Sequence, residues 1–158
     1  INYTFNPFLF YCSPFYEVGI QHWIAGIFND SHYFDANSTT YMLTIRSVLN
    51  LSIVYPDGHS FLVGTDINFS TRITDECQNP IENASVTIRP VKTESGTQYP
   101  ACLPLIEGEG WYNCTWSSQG YGPKWYNISM WGSKEFYPQN FTTKMVPSTI
   151  FKVRNILF

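Results

Sequence analysis

Three runs decide the fold: Gly110-Trp111-Tyr112-Asn113-Cys114-Thr115-Trp116, then Lys124-Trp125-Tyr126-Asn127-Ile128-Ser129-Met130, then Gln139-Asn140-Phe141-Thr142-Thr143-Lys144-Met145. Short stretches bearing Gly and Pro separate them. Each run is strand-sized and carries an Asn-x-Ser/Thr triplet. Residues i and i+2 of a strand share a face. An asparagine and its hydroxyl partner then point one way and the middle residue points the other. The spacing predicts three successive strands with asparagines outward and Tyr112, Cys114, Ile128 and Phe141 inward.

The rest of the chain repeats the pattern. Leu49, Leu51, Ile53 and Tyr55 alternate with Asn50, Ser52 and Val54, and Pro56-Asp57-Gly58 reads as a turn. Ile67, Phe69, Thr71 and Ile73 alternate with Asn68, Ser70 and Arg72. Ala84, Val86 and Ile88 alternate with Ser85, Thr87 and Arg89. A further strand is expected around Tyr99–Ile106, and the last around residues 140–146. The middle residues of the other triplets in these runs, Leu51, Phe69 and Ala84, are apolar too. Seven short strands with a turn signal every 8–15 residues and no helical period predict an all-β, immunoglobulin-like β-sandwich. The expectation is one complete domain plus part of a preceding one.

Composition bounds the function. In 158 residues, 18% are aromatic and 13% charged, so ample apolar surface is available for a core. A net charge of -3 with scattered Lys and Arg argues against nucleic acid and against an anionic membrane surface. No segment approaches the roughly 20 apolar residues of a spanning helix. The opening Ile1-Asn2-Tyr3-Thr4 fits a mature chain or a piece of a longer one.

The sequons carry most information. Asn2, Asn29, Asn37, Asn50, Asn68, Asn83, Asn113, Asn127 and Asn140 are nine of the twelve asparagines. Ser and Thr together number 28, so chance gives only about two or three such triplets. The excess points to N-glycosylation and to a place outside the cytoplasm. Four cysteines there read as disulfides rather than metal ligands or nucleophiles. Cys102 and Cys114 each lie six residues from Gly108 and would face each other across a hairpin turning at residues 107–110. Cys12 and Cys77 form a possible second pair.

Residues 8–42 resemble residues 110–145. Cys12 aligns with Cys114 at an offset of 102; Gly19 aligns with Gly122, Trp23 with Tyr126, Ile27 with Met130 and Asn37 with Asn140 at 103. Residues 1–45 then form the C-terminal half of one repeat, completed by other sequence or by strands of a neighbouring chain. Residues 46–146 form a complete sandwich, and residues 147–158 a linker or the first strand of a following repeat. Tandem units of this size build stalks and filaments.

Chemistry is sparse. His22, His32 and His59 sit in or beside turns without metal-ligand spacing. Ser60 lacks a nucleophile-elbow context. Glu107 and Glu109 flank a hairpin glycine, which makes no glycosidase cleft. Asp57, Asp75 and Glu76 offer at most loop oxygens for calcium. No catalytic residue, metal or cofactor is expected. Trp111, Trp125 and Trp131 fall on sugar-bearing faces, where exposed rings cover something: a neighbouring repeat, the chain's own glycans or a foreign carbohydrate.

The run Thr74-Asp75-x-x-x-Asn79-Pro80-Ile81-x-x-Ala84-x-Val86, with Gly110-Trp111-Tyr112 and Trp125-Tyr126-Asn127-Ile128, is similar to tandem Ig-like β-sandwich repeats of N-glycosylated archaeal and bacterial cell-surface proteins. The chain departs from that pattern at Gln78, where those repeats usually have Gly, and at Cys77. The resemblance implies a non-enzymatic extracellular scaffold of a surface layer, sheath, filament or adhesin stalk, which associates with itself or with neighbouring repeats. The alternative is a carbohydrate-binding or adhesive module using the tryptophans.

Overall fold

The computed structural model describes Cys12 and residues 17–102, 104–143 and 151–154. The sequon at Asn2, residues 8–11 and 13–16 of the repeat, and most of the tail lie outside the described residues. All regular structure among the described residues is strand. The chain divides into two compact units, Ile1–Arg46 and Ser47–Phe158.

In the first unit β1 (Gly19–Trp23) pairs antiparallel with β4 (Tyr41–Ile45), and β2 (Gly26–Ile27) with β3 (Ala36–Asn37). Trp23 opposes and stacks on Tyr41, with ring centroids 4.9 Å apart. Asp30 Oδ1 accepts the His32 amide at 2.8 Å, closing the turn between β2 and β3. Apolar side chains such as Ile20, Met42 and Phe34 remain exposed, Phe34 at 96%.

The second unit contains β5 (Asn50–Tyr55), β6 (Ser60–Leu62), β7 (Asp66–Thr74), β8 (Ser85–Lys92), β9 (Leu105–Gly108), β10 (Trp111–Ser117), β11 (Trp125–Lys134), β12 (Tyr137–Thr143) and β13 (Phe151–Arg154). One sheet has the order β5-β7-β10-β9. In the other, β11 is central: β8 holds one edge, and β12 and β13 share the opposite edge end to end. β6 runs parallel to β13 beyond them; every other strand pairing among the described residues is antiparallel. Residues 151–154 therefore belong to this unit's sheet, which corrects their assignment to a linker or a following repeat.

The inward faces follow the alternation. Ile67, Phe69 and Ile73 of β7 and Tyr112, Cys114 and Trp116 of β10 are buried. They join Val86 and Ile88 of β8 and Tyr126, Ile128 and Met130 of β11 in one core cluster. Two apolar faces meeting across a shared core make a two-layered β arrangement, consistent with a β-sandwich.

Two local expectations fail. The strand expected over Tyr99–Ile106 is broken. Gln98 and Cys102 make isolated bridges to Val91 and Ile88 of β8, whereas Leu105 and Ile106 pair with β10. Pro100 and Pro104 have no amide to donate, so no continuous ladder forms there. The chain leaves one sheet and joins the other. The Cys102–Cys114 disulfide forms, with Cα atoms 6.0 Å apart, but it links the two sheets instead of closing a hairpin. No cysteine is a free thiol.

The second failure is at Asn140. Phe141 is 49% exposed and lies opposite Trp131 on the outer face, ring centroids 4.9 Å apart. Asn140 opposes Gly132 and points inward. A Cβ on Gly132 would come within 2.8 Å of Leu51, so the glycine leaves the room that the asparagine enters. A one-residue change of register turns over every side chain of a strand.

One corner ties the layers together. The Tyr112 hydroxyl donates to the Ile81 carbonyl at 2.8 Å and accepts the Ala84 amide at 3.0 Å. Tyr112→Phe keeps the ring and leaves both buried main-chain groups unpaired. It should lower unfolding free energy by about 1–3 kcal/mol, measured by chemical denaturation. A loss below about 0.5 kcal/mol would show that the corner does not depend on the hydroxyl.

Candidate functional site

The sequons fall into three structural groups. Asn29, Asn37, Asn68 and Asn83 are exposed. Asn29 and Asn83 occupy turns with φ of 55° and 54°, a region asparagine tolerates better than most residues. Asn83 therefore precedes its strand instead of lying within it, as the alternation had suggested. Ala84 behind it is buried all the same.

Asn50 and Asn140 use the amide nitrogen, the atom that takes a sugar, to hold the main chain. Asn50 Nδ2 donates to the Asp75 carbonyl at 2.8 Å, and Asn140 Nδ2 to the Leu49 carbonyl at 2.6 Å. Both asparagines are half-buried.

Asn127 and Asn113 differ despite identical spacing to a preceding tryptophan. Asn127 is only 6% exposed, and its Oδ1 meets no hydrogen-bond donor. It lies on the outward side of β11, as the alternation predicts, yet it is covered. β11 has strands along both edges, with Val91 of β8 directly opposite Asn127. Ser129, the hydroxyl member of that triplet, is 2% exposed. Asn113 is half-buried.

The three tryptophans do not share a surface. Trp111 lies on the outer face of the sheet containing β10; Trp125 and Trp131 lie on the outer face of the sheet containing β11. Each ring is met by a cation of the same unit. Arg72, directly opposite Trp111, has its guanidinium 5.6 Å from that ring centroid. Arg89 stands 5.9 Å from Trp131, and Lys152 Nζ 5.5 Å from Trp125. Such contacts stabilise by roughly 0.5–1 kcal/mol at exposed sites. The Arg89 Nη1 is held at 2.6 Å by Gln98 Oε1. The pairing of Arg72, Arg89 and Lys152 with these rings is not visible in the sequence alone. Arg72 and Arg89 stand at outward positions of alternating runs, but only the strand register pairs them with their rings.

The acidic loop has a structural role. Asp75 Oδ1 accepts the amides of Cys77 and Asn79, both at 2.8 Å, and its Oδ2 accepts Asn79 Nδ2 at 2.9 Å. The Asp75 carboxylate is thus filled by its own turn. Glu76 Oε2 accepts the Ser47 hydroxyl and the Val48 amide. Burial alone would raise the Glu76 pKa, but these donors outweigh it and lower the value below 4.5. Among the described residues no three His, Cys, Asp or Glu side chains converge on a metal-sized site. No described helix is long and apolar enough to cross a membrane.

No protein-family model and no curated protein matches this chain.

The burial of Asn127 has a measurable consequence. Asn127→Asp places a carboxylate in a closed site and should cost more than about 2 kcal/mol near neutral pH. Asn83→Asp, in an exposed turn that suits either residue, should stay within about 0.5 kcal/mol. Denaturation curves for the two variants check the contrast; equal effects would mean that Asn127 is solvated.

Proposed function

We propose that this chain is part of a non-enzymatic, N-glycosylated extracellular structural protein built of tandem Ig-like domains and assembled at the cell surface as a layer, sheath, filament or stalk. The observation that carries the reading is sequon density: nine of twelve asparagines. The absence of free thiols is compatible with an oxidising, extracellular setting.

Strand order supports the Ig-like assignment. β5-β7-β10-β9 facing β8-β11-β12/β13 corresponds to the A-B-E-D and C-F-G sheets of that fold. The turn after β7 supports the resemblance where the sequence departs from it. Gln78 has φ of 66°, the left-handed conformation for which those repeats supply Gly. Gln78→Gly should therefore stabilise the second unit by about 1 kcal/mol. A destabilised Gln78→Gly variant in denaturant titration would count against the shared turn.

Placement of the three tryptophans on two opposite faces gives the carbohydrate-platform alternative no common surface.

The decisive experiment combines intact mass before and after enzymatic deglycosylation with light scattering and electron microscopy of the glycosylated protein. The expected result is a mass loss of several glycans and concentration-dependent association into ordered assemblies. An unchanged mass would remove the glycoprotein reading. A monodisperse monomer at all concentrations would remove the assembly reading.

A further inference from the structure

Two of the sequons interlock. β7 and β10 run antiparallel, with Asn68 opposite Thr115 and Ser70 opposite Asn113. The asparagine of each triplet therefore faces the hydroxyl residue of the other. The Thr115 hydroxyl donates to Asn68 Oδ1 at 2.8 Å. On its far side Asn113 opposes Leu105 of β9. Ser70, Asn113 and Leu105 thus form a row across three strands, with Asn68 and Thr115 beside it. These side chains line a cleft of about 550 Å³ on the outer face of the sheet. That volume falls within the range of small-ligand sites.

The members of the cleft are not equivalent. Asn68 is exposed, whereas Asn113 is half-buried with its Oδ1 cut off from solvent. Leu105 is 74% exposed, an apolar side chain standing at the edge of a polar hollow. A pyranose ring has polar hydroxyl edges and an apolar C–H face, so it matches such a wall. Asn68 and Asn113 are diagonal neighbours, about 7–8 Å apart. Two branched sugar chains cannot both leave the floor of one cleft at that spacing.

We infer that Asn68 is a glycan acceptor, that its two innermost sugars lie in this cleft, and that Asn113 stays unmodified as the cleft wall. The inference rests on the glycoprotein reading above and assigns one seat within it. Attachment joins Asn68 Nδ2 to the anomeric carbon of a lipid-phosphate-linked oligosaccharide. The bond from that carbon to the phosphate oxygen breaks, the lipid phosphate leaves with the electron pair, and the amide nitrogen gives up one proton. The first sugar then lies over Asn113 and Thr115, where amide and hydroxyl groups meet its polar edge. Leu105 stands two strand spacings across and two residues along from Asn68, about 12 Å, so the second sugar places its apolar face there.

The test uses the chain secreted from a host that attaches a chitobiose-core N-glycan. Site-resolved mass spectrometry should find sugar on Asn68 and none on Asn113. Peptide-N-glycosidase acting on the folded protein should release the Asn68 glycan at least about tenfold more slowly than that of Asn83, which stands in an exposed turn. This difference should vanish after denaturation. Leu105→Asp should speed release from Asn68 in the folded protein without altering release from Asn83. Sugar on Asn83 but not on Asn68, sugar on Asn113, or equal native release rates would each overturn the seat while leaving the glycoprotein reading intact. Sugar on none of the sequons would overturn both.

Discussion

The second unit depends on one phenol. Tyr112 is 1% exposed, and its hydroxyl joins β10 of one sheet to the connection that carries the chain into the other. Burial raises its pKa above the ordinary value of 10.0, with the Ala84 amide acting in the opposite direction. The group therefore stays protonated and able to donate to Ile81. Around it the main chain closes on itself: the Ile73 amide reaches the Gly110 carbonyl at 2.8 Å, and the Ile81 amide the Ile73 carbonyl at 3.0 Å. Gly110 has φ of 75°, and any Cβ there would collide with the Ile73 carbonyl oxygen. The residue pair Gly110 and Tyr112 is thus one device, in which the glycine permits the close approach that the hydroxyl fastens.

The far end of the core is aromatic. Trp116 stacks on Tyr121 at 5.0 Å and meets Tyr126 at 5.7 Å, while Tyr99 packs on Tyr121 at 4.7 Å. Tyr126 donates to the Gly122 carbonyl at 2.7 Å, and burial together with the neighbouring tyrosines pushes its pKa up to about 12. Ser118, fully buried, bonds to the Thr65 carbonyl at 2.8 Å and so ties the end of β10 to the turn before β7. Between the phenolic corner and this cluster stands the Cys102–Cys114 bond. Main-chain polar groups are paired at both ends, as burial requires.

The asparagines of the triplets divide between two settings. At Asn29, Asn37, Asn68 and Asn83 the side chain faces solvent. Where it holds a carbonyl, as at Asn50 and Asn140, it is part of the frame. The tryptophans show a parallel division, each facing outward yet each met by a cation. Exposed apolar side chains remain in both units: Leu105, Phe141 and Trp125 in the second, Ile20, Met42 and Phe34 in the first.

The all-β class, most strands of the second unit and the inward set Ile67, Phe69, Ile73, Val86, Ile88, Tyr112, Cys114 and Ile128 were legible from alternation alone. Side-chain direction in a strand has a period of two and needs no partner to be read. The Cys102–Cys114 pair was legible too, though for the wrong geometric reason. The tertiary structure alone decided the rest. Pro100 and Pro104 interrupt a ladder that local pattern treats as continuous. Asn140 and Phe141 exchange faces because Gly132, on another strand, opens space inside while Trp131 offers a ring outside. Asn127 is covered because its strand is central, a property of sheet order and not of the triplet Asn127-Ile128-Ser129. Local periodicity states which residues share a side; only the neighbouring strands determine whether that side is open to water.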